Sequence, residues 1–592
     1  MKNILVCFIV FAAWGSLILF SVPTYDFDEA VYRRVAEEMS LSKNWFYPTW
    51  DGNPFFHKPP FYYWIINVFS WLLNEPQGKV SVLASRLPSF FFVVGIALQL
   101  SFFWKKKLSL ITKAAGVSTK KIFPWLNTYT FPVLIMATAL FPSFTSSSVL
   151  FDPMLSFFLT PSLLVLTLLL MDSKNGYFRA PTKSESLVLS FSLALACITK
   201  GPIGIVIPVF AIMFHCFFVC LFTYQKSTLG VFIFVFSHIK HIFKSLISPL
   251  VLSLLVSAIF YGFIYLNRGE RFFHEFIIVH HFERASSAME GHSGHFLYHF
   301  ITIALSWVFL VSLFFVQISK MLLYKSKKNT LNLCFPISWG ISVLLLFSFV
   351  STKLPHYILP AWPAFSIGIA IIYIILMGSE ENKNYYSPFK KTLSKAFVFI
   401  SYLMPFFGGA VFLGLALFIN RILRHSFVDQ KVIEILKYTP DWSFYIRFSC
   451  FGVSLLFFAM AYLIYQQTNN PIKSRTVTLG ALYTSFIVVV VVGVIMPQVS
   501  NTMISPVATL TQIANKKMSS KSCLKNLGQR NATMSLFFNS EKMAQINKKH
   551  VNQCEPGDVV WTIAPVWKKQ NCMQNNRVIV DQNRHYLLCG PT

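Results

Sequence analysis

Charged residues, and acidic ones above all, are scarce in this sequence. They make up only 12% of its 592 residues, and Asp and Glu together number 23. Hydrophobic residues make up 55%, and the mean hydropathy is +0.56. A typical soluble domain carries about 25% charged residues. The composition therefore excludes a soluble globular protein and predicts a polytopic membrane protein.

Nucleotide-binding motifs are absent as well. The sequence contains neither a G-x-x-x-x-G-K-[ST] phosphate loop nor a G-x-G-x-x-G dinucleotide fingerprint. Nucleotide-driven transport therefore has no recognisable motor in this chain. Internal repeats and low-complexity tracts are also missing, which excludes solenoid architectures.

Apolar runs long enough to cross a bilayer recur along the chain. A hydrocarbon core about 30 Å thick takes ~20 residues per helix, which predicts about thirteen spans. The first run has no small-residue cleavage site before Tyr25, so we interpret it as an anchor helix and not as a signal peptide. The predicted spans are Ile4–Val22, Leu87–Trp104, Pro124–Pro142, Pro153–Met171, and nine that begin near Leu187, Pro202, Leu246, Phe296, Leu331, His356, Ala396, Phe448 and Val477.

Lysine and arginine gather in alternate loops between these spans. Short cytoplasmic loops hold such an excess, so residues 105–121, 174–183, 320–328 and 383–395 are predicted to lie inside. The loops 23–85 and 267–295 and the C-terminal tail then lie outside. Much of the net charge of +28 is this bias together with attraction to anionic lipid headgroups, and it needs no nucleic acid to explain it.

The tail after the last span, residues 499–592, is predicted to be a small extramembrane α/β domain, separate from a membrane domain of residues 1–498. Asp558–Ala564 and Arg577–Val580 have strand composition, and Met503–Met518 is predicted to be a short helix. On the oxidising side of a membrane, four cysteines indicate two disulfides with three possible pairings. A zinc site is the alternative, although no two of these cysteines are close in sequence: Cys523, Cys554, Cys572 and Cys589.

Carboxylates stand at the outer ends of two predicted spans. Asp28 and Glu29 follow the first span, and Asp152 lies between two apolar runs. An ionisable group at membrane depth costs about 2.5–3.5 kcal/mol and usually marks a functional site. We therefore predict that these three acids supply a general base or bind a metal ion. The alternative for the first group is that acids simply stabilise a helix N-terminus.

Three lysines on the same predicted face each stand beside a proline. They occur in His57-Lys58-Pro59-Pro60, Lys200-Gly201-Pro202 and Lys353-Leu354-Pro355. Proline stiffens the backbone, so each lysine is presented rigidly to an anionic group. The alternative is that each is an ordinary interfacial lysine.

The outer loop that follows Asn267 is rich in histidine and arginine. We single out His281 and Arg284, which are three residues apart on one helical face. Imidazole suits a transition metal, and the planar guanidinium suits phosphate. Together with the aromatic residues outside the membrane, these groups predict a reaction on a lipid-linked phosphate.

Six motifs occur in an order that resembles bacterial membrane glycosyltransferases of the GT-C class. The resemblance is to the family of the aminoarabinose transferase that modifies lipid A, which is related to protein O-mannosyltransferases, and it covers Met1–Pro363. The family plan is an all-α bundle of about thirteen membrane helices with an outer C-terminal domain. The motifs are DEAVYRRVAEEM, GNPFFHKPPFYYW, FDPMLSFF, ITKGP, VHHFER and STKLPHYILPAWP.

The resemblance implies a role for each candidate residue. Asp28 corresponds to the catalytic carboxylate and Asp152 to a second acid, while Lys58 and Arg284 correspond to cations that hold the donor phosphate. Lys200 and Lys353 are similar to residues that line the lipid-phosphate cavity. His281 matches a metal-associated histidine, and His57 stands where the aminoarabinose branch typically has a metal-binding Glu. The implied cofactor is a divalent metal, either zinc, magnesium or manganese, and no nucleotide.

The predicted reaction is inverting transfer of a sugar from a polyprenyl-phosphate donor to lipid A. The resemblance places it at the periplasmic face of the bacterial inner membrane, and an amino sugar such as aminoarabinose is the implied group. A protein hydroxyl acceptor is the alternative within the same class. A polyisoprenoid-lipid flippase is the alternative of another class, but a flippase needs phosphate-binding cations and no base.

Overall fold

The fold was analysed in a computed structural model. It describes residues 28–115, 145–171, 178–223, 228–289, 292–307, 311–312, 315–316, 332–377, 388–422, 442–468, 505–518, 522–526, 559–565, 569–573, 577–582 and 586–591. This part of the chain is mainly helical, as predicted, and carries a small C-terminal sheet. The helices before that sheet are α1 Asp28–Ser42, α2 Phe61–Leu72, α3 Val82–Ala115, α4 Phe151–Met171, α5 Lys183–Lys200, α6 Ile203–Thr223, α7 Thr228–Phe273, α8 Tyr298–Ser306, α9 Phe335–Phe349, α10 Ala361–Met377, α11 Pro388–Ile422 and α12 Trp442–Thr468.

Within the described residues, several of these helices have membrane length and composition. Five segments are long and apolar enough to cross a bilayer, and three shorter apolar segments accompany them. The predicted spans Ile4–Val22 and Pro124–Pro142 and the one near Val477 lie outside the described residues, so the total of about thirteen stays a prediction. The five long segments are Val82–Lys113, Phe151–Met171, Lys240–Asn267, Thr392–Phe418 and Arg447–Gln466.

Helix α4 is the central helix of the bundle. Its apolar window is 78% buried, against 17% for Thr392–Phe418 in α11. It packs between α3 and α5 and contacts α6 and α9. Leu155, Leu159, Leu163 and Leu166 recur at helical spacing and are almost fully buried. The N-terminal end of this well-anchored helix carries Asp152.

The outer loop 23–85 folds against the end of the bundle. Helix α1 buries Val31, Val35 and Met39 at a spacing of four residues against α2. A two-stranded antiparallel ribbon, β1 Thr49–Trp50 and β2 Asn53–Pro54, precedes the prolines that start α2. The carboxylate of Glu38 holds this ribbon to α1, since it accepts hydrogen bonds from the hydroxyl of Thr49 at 2.6 Å and from the amide of Asp51 at 2.9 Å.

The second outer loop is also helical. Helix α7 is interrupted at Gly269, whose φ of 63° is a left-handed value that favours glycine. A π-helix then spans His274–Glu283 and continues into a helical turn at Arg284–Ser286. The wider π-helical turn changes which side chains share a face, so spacing rules for an α-helix do not apply here.

The C-terminal segment contains helix α13 Ser505–Lys517, strand β3 Ser522–Asn526, strand β4 Val559–Pro565, helix α14 Lys569–Cys572, strand β5 Arg577–Gln582 and strand β6 Tyr586–Pro591. The sheet order is β3-β4-β6-β5, with β3 and β4 parallel and the other pairs antiparallel. These elements agree with the predicted helix and strands. Val507, Leu510 and Ala514 of α13 pack on the sheet.

Disulfide bonds cross-link this small C-terminal unit. Cys572 and Cys589 form a disulfide, which joins α14 to β6 and selects one of the three pairings left open by the sequence. Cys523 is also disulfide-bonded. Cys554 lies outside the described residues. The boundary predicted between residues 498 and 499 falls in a part of the chain that the structure does not describe, and it stays a prediction.

Candidate active site

A polar cavity lies where the two outer loops meet the ends of α4 and α5. Its walls come from five separate stretches of sequence, which the fold brings together. The described lining contains two carboxylates, three lysine or arginine side chains, three histidines and two tyrosines among apolar residues. These polar residues are Asp28, Asp152, Lys58, Lys200, Arg284, His57, His292, His356, Tyr32 and Tyr357.

Asp28 opens helix α1 and contributes its carboxylate to the cavity wall. A carboxylate is favoured at this position because the helix N-terminus carries partial positive charge. In the described part of the chain it forms no hydrogen bond or ion pair. Burial and the nearby Asp28 raise the pKa of Tyr32 well above its ordinary value, so this neighbour stays a neutral phenol. Among the described residues, the carboxylate of Asp28 therefore faces the cavity without a protein partner.

Lys58 faces the same cavity from the stiff His-Lys-Pro-Pro segment. Its ammonium group forms no hydrogen bond or ion pair among the described residues. Burial and the neighbouring cations Lys200 and Arg284 lower its pKa to about 7. A cation that is destabilised in the empty cavity gains most when an anion binds beside it.

Asp152 and Lys200 are engaged with each other across the cavity floor. Lys200 Nζ donates to Asp152 Oδ1 at 2.6 Å and lies 4.6 Å from the centre of the Tyr357 ring. His356 Nε2 stands 3.7 Å from the other oxygen of Asp152. Burial lowers the pKa of His356 despite this carboxylate, so the imidazole is neutral near pH 7.

The turn that presents Lys200 depends on a glycine. Gly201 has φ 73°, and a Cβ there would stand 2.6 Å from Nε2 of His281. That imidazole lies against the turn, with Nε2 3.1 Å from the carbonyl oxygen of Lys200 and Nδ1 2.6 Å from that of Phe276. His281 therefore supports the turn and is not among the residues that line the cavity.

Arg284 enters the cavity from the second outer loop and is 9% exposed. The backbone around it is fixed by the Ser-Thr-Lys segment that follows α9. Thr352 Oγ1 donates to the carbonyl of Arg284 at 3.1 Å, and the Ser351 amide donates to that of Ala285 at 2.9 Å. The STK motif thus positions an arginine from a distant part of the sequence.

Lys353 of the same motif points away from the cavity. Its ammonium group donates to the carbonyl oxygens of Phe347, Ser348 and Val350. The last carbonyls of a helix have no partner within the helix, and a lysine there stabilises them. The structure therefore gives Lys353 the role of capping α9, and not the cavity position that the resemblance implies.

Glu29 is adjacent to Asp28 in sequence but faces the protein interior. It is 2% exposed and forms a two-pronged ion pair with Arg86 of α3, with oxygen–nitrogen distances of 2.8 and 3.1 Å. Successive residues of a helix point about 100° apart, so only one of the two acids can face the cavity. Glu29 joins α1 to α3.

The two histidines expected to bind a metal contact different neighbours. The ring of His57 stacks on His280, with ring centres 3.9 Å apart, and on Phe55. Both ring nitrogens of His281 face carbonyl oxygens, which leaves neither nitrogen open to an ion at the ~2.0–2.1 Å of a zinc–nitrogen bond. No group of three or more His, Cys, Asp and Glu residues in the described ranges could hold a metal ion. The described residues therefore do not fit the expected metal.

Four polar lining residues were not among the sequence candidates: Tyr32, His292, His356 and Tyr357. A signal for two of them was present. His356 and Tyr357 follow the predicted Lys353-Leu354-Pro355 motif directly, and a 3-10 helix at Pro355–Ile358 turns them into the cavity. Tyr32 follows Asp28 by four residues, which is one helical turn.

An apolar helical bundle, a polar cavity at one end of it and a small disulfide-bearing sheet characterise this multi-pass membrane protein. Its fold is similar to that of ArnT from Cupriavidus metallidurans. The crystal structure of that protein bound to undecaprenyl phosphate matches with a TM-score of 0.64 and 14% identity, over 99% of this chain and 97% of the other. The apo structure matches with a TM-score of 0.60.

Curated proteins of similar sequence have one name in common. The chain is 24% identical over 351 residues to the undecaprenyl phosphate-alpha-4-amino-4-deoxy-L-arabinose arabinosyl transferase of Erwinia tasmaniensis. It is 26% identical over 343 residues to the protein of that name from Wigglesworthia glossinidia brevipalpis. These alignments take in 58% of this chain and about half the length of the relatives, 54% and 53%. No family model matches the sequence.

Proposed function

We propose that this protein transfers 4-amino-4-deoxy-L-arabinose from undecaprenyl phosphate to lipid A. The names of the curated relatives support the sugar and its carrier. One observation in the chain itself carries the proposal. Asp28 lines the same cavity as Lys58 and Arg284, and neither Asp28 nor Lys58 is engaged by the described protein residues. A base opposite phosphate-binding cations is what glycosyl transfer from a lipid phosphate requires.

The proposed reaction breaks one bond and forms another at the anomeric carbon. An acceptor oxygen attacks that carbon, and the bond to the phosphate oxygen breaks with inversion, so that the electron pair leaves with polyprenyl phosphate. Where the attacking group is a hydroxyl, Asp28 accepts its proton. Lys58 and Arg284 stabilise the negative charge that develops on the leaving phosphate.

Asp152 has a positioning role in this proposal. Its carboxylate holds Lys200 at 2.6 Å, at the wall of the cavity that also bears Lys58. Pairing lowers the net positive charge of the cavity and so limits repulsion among three neighbouring cations. Lys200 can then turn toward a bound phosphate, while the imidazole of His356 stays 3.7 Å from the other oxygen of Asp152.

We place the reaction at the periplasmic face of the bacterial inner membrane. The positive-inside bias of the loops supports this orientation, because it puts the loops that carry Asp28, Lys58 and Arg284 on the outer side. The disulfide between Cys572 and Cys589 supports an oxidising location for the C-terminal segment.

Purified full-length protein in detergent provides the test. It is mixed with undecaprenyl-phosphate aminoarabinose and with either lipid A or exported protein, and the products are identified by mass spectrometry. The proposal predicts lipid A that is heavier by one aminoarabinose. Detergent micelles have no second leaflet, so transfer there excludes a pure flippase. Modified protein with unmodified lipid A would overturn the acceptor, and no transfer to either would overturn the proposed reaction.

A parallel reaction with a chelator tests the metal expectation. The geometry of His57, His280 and His281 predicts that transfer is unchanged after incubation with a chelator that removes divalent cations. Loss of transfer that returns on adding zinc, magnesium or manganese would show that a metal is needed and would contradict the prediction of unchanged transfer.

A further inference from the structure

A long groove runs along the membrane surface of the bundle, away from the catalytic cavity. One wall is a stripe on helix α3 formed by Phe91, Gly95, Leu98, Phe102 and Lys106. These residues are separated by three or four positions, which places them on a single face of the helix. Phe91 is 49% exposed, Leu98 36% and Phe102 56%, so the stripe is open to the surrounding lipid.

The second wall is the matching face of helix α4. Phe157, Pro161, Leu164, Val165 and Leu168 line it at the same helical spacing. Val188 of α5 lies near its far end. The two stripes face one another between neighbouring helices, and all of these α4 and α5 lining residues are apolar.

Proline and glycine shape the floor of the groove. Gly95 lets the ring of Phe157 come close, because a Cβ at that position would collide with the ring. Pro161 has no amide hydrogen to give to the carbonyl of Phe157 four residues earlier. Gln99 Nε2 donates to that carbonyl instead, at 3.3 Å. Its Oε1 is buried in the groove wall, with no hydrogen-bond partner in the part of the chain that the structure describes.

Two lysines stand at one end of the groove. Lys106 is exposed and Lys107 is partly exposed, and the described lining contains no carboxylate. Lys106 is twenty residues beyond Arg86, which lies near the catalytic cavity. At 1.5 Å per residue this is about 30 Å, the thickness of a hydrocarbon core. The lysines therefore lie at the membrane interface opposite the cavity.

We propose that this groove binds an anionic phospholipid of the leaflet opposite the cavity. The phosphate contacts Lys106 and Lys107, and one acyl chain lies along the apolar stripes. Charge decides the class of ligand, since a basic pocket between membrane helices on this side selects anionic headgroups. The bound phospholipid is oriented across the membrane in the direction opposite to the donor lipid, whose phosphate is expected near Lys58 at the other end of the bundle. The site does not depend on the proposed transfer reaction.

Native mass spectrometry of the purified full-length protein tests the site without an activity assay. The probes are phosphatidylglycerol and phosphatidylcholine with identical acyl chains. Wild-type protein is expected to retain phosphatidylglycerol preferentially. The double variant Lys106→Gln/Lys107→Gln is expected to weaken that retention about thirtyfold, because a lysine near an anionic surface contributes about 1 kcal/mol and each 1.4 kcal/mol is tenfold.

Two further variants separate a specific site from general surface charge. Lys240→Gln/Lys244→Gln removes two lysines of α7 that are outside the groove, and it is expected to leave retention unchanged. Val165→Trp fills the groove while Lys106 and Lys107 remain, and it is expected to reduce binding of both lipids.

Three results would overturn the proposal. The first is equal retention in the wild type and in Lys106→Gln/Lys107→Gln. The second is an equal loss in the Lys240→Gln/Lys244→Gln control, which would indicate only a charged surface. The third is displacement of phosphatidylglycerol by undecaprenyl phosphate with the same dependence on Lys106 and Lys107, which would make the groove part of a donor-lipid site.

Discussion

The polar cavity and the body of helix α1 are both rich in charge, but their charged groups have different partners. Beyond its first residue, α1 carries charged groups that contact other protein groups. Arg33 donates to the carbonyl of Val80 at 2.6 Å, and Glu29 pairs with Arg86. In the cavity, Asp28 and Lys58 have no such partner among the described residues.

The difference shows that charge density in a sequence does not by itself locate a site. The segment Asp28–Ser42 has six acidic or basic residues besides other polar groups, and only Asp28 of these lines the cavity. The remaining five form contacts within α1, with the adjoining loop or with helix α3. We propose that the engaged charges contribute to folding and that the charge left open to the cavity takes part in the reaction. The following four predictions test this division.

The largest effect is expected for Asp28→Asn. The substitution keeps the shape of the side chain and removes the proton acceptor, so transfer should fall about 10²–10⁴-fold. Because Asp28 has no engaged partner to lose, the unfolding temperature should stay the same. Transfer of labelled sugar and thermal unfolding are measured on the same preparation.

Glu283→Gln serves as the matched control, since it changes an exposed acid that does not line the cavity. It should leave transfer intact. Near-normal transfer by Asp28→Asn would remove Asp28 from the mechanism.

Glu29→Gln should lower the stability of the protein and leave the transfer activity per folded molecule unchanged. It leaves the guanidinium of Arg86 buried without its carboxylate, and breaking a buried ion pair costs about 3–5 kcal/mol. We expect a large drop in the unfolding temperature in detergent, with activity lost only in proportion to folded protein. The double variant Glu29→Met/Arg86→Met should recover part of the stability. Full stability with selective loss of transfer would instead make Glu29 a catalytic residue.

Gly201→Ala should have a smaller effect on transfer, because it distorts the turn that positions Lys200 in the cavity. The new Cβ meets a φ of 73° and would stand 2.6 Å from His281, and strain of this kind costs about 1–3 kcal/mol. Since Lys200 is displaced with the turn, KM for the donor should rise more than kcat falls. Gly262→Ala is the control, because its Cβ would meet nothing within 4 Å. Equal kinetics for the two variants would contradict the proposed role of the turn.

The pH dependence of KM for the donor should be the smallest of the four effects. Burial and the positive charges of Lys200 and Arg284 lower the pKa of Lys58 to about 7, although the negative charges of Asp152 and Asp28 act in the opposite direction. The ammonium form is therefore present below about pH 7 and is lost as the pH rises through that value. KM for the donor should rise above pH 7, approaching about tenfold per pH unit.

Lys58→Arg keeps its charge throughout this range and should flatten the profile. Lys43→Arg, which alters an exposed lysine of the same outer loop, should leave the profile as it is. A profile that is unaffected by Lys58→Arg would assign the pH dependence to another group.

Sequence patterns predicted the membrane bundle, the small C-terminal sheet and most of the polar residues that line the cavity. Asp28, Asp152, Lys58, Lys200, Arg284 and His57 line one cavity, as the ordered motifs implied. Their catalytic and binding roles stay predictions. The structure places the other three candidates elsewhere: Glu29, His281 and Lys353.

Each of the three candidates outside the lining is only one to three residues from a residue that does line the cavity. Glu29 is next to Asp28 on a helix, and His281 is next to His280 on a π-helix, where the change of direction between neighbours decides which one contacts His57. Lys353 ends on the carbonyls of α9, which a sequence motif cannot reveal. Local direction of a side chain depends on packing, and a single sequence does not specify it.

The most direct test of the account is the mass of lipid A from cells that lack the gene and carry either the wild-type protein or Asp28→Asn at equal abundance. We expect lipid A with added aminoarabinose only in cells with the wild-type protein. Equal modification with Asp28→Asn, or unmodified lipid A with both proteins, would contradict the claim that the open carboxylate of Asp28 serves transfer to lipid A.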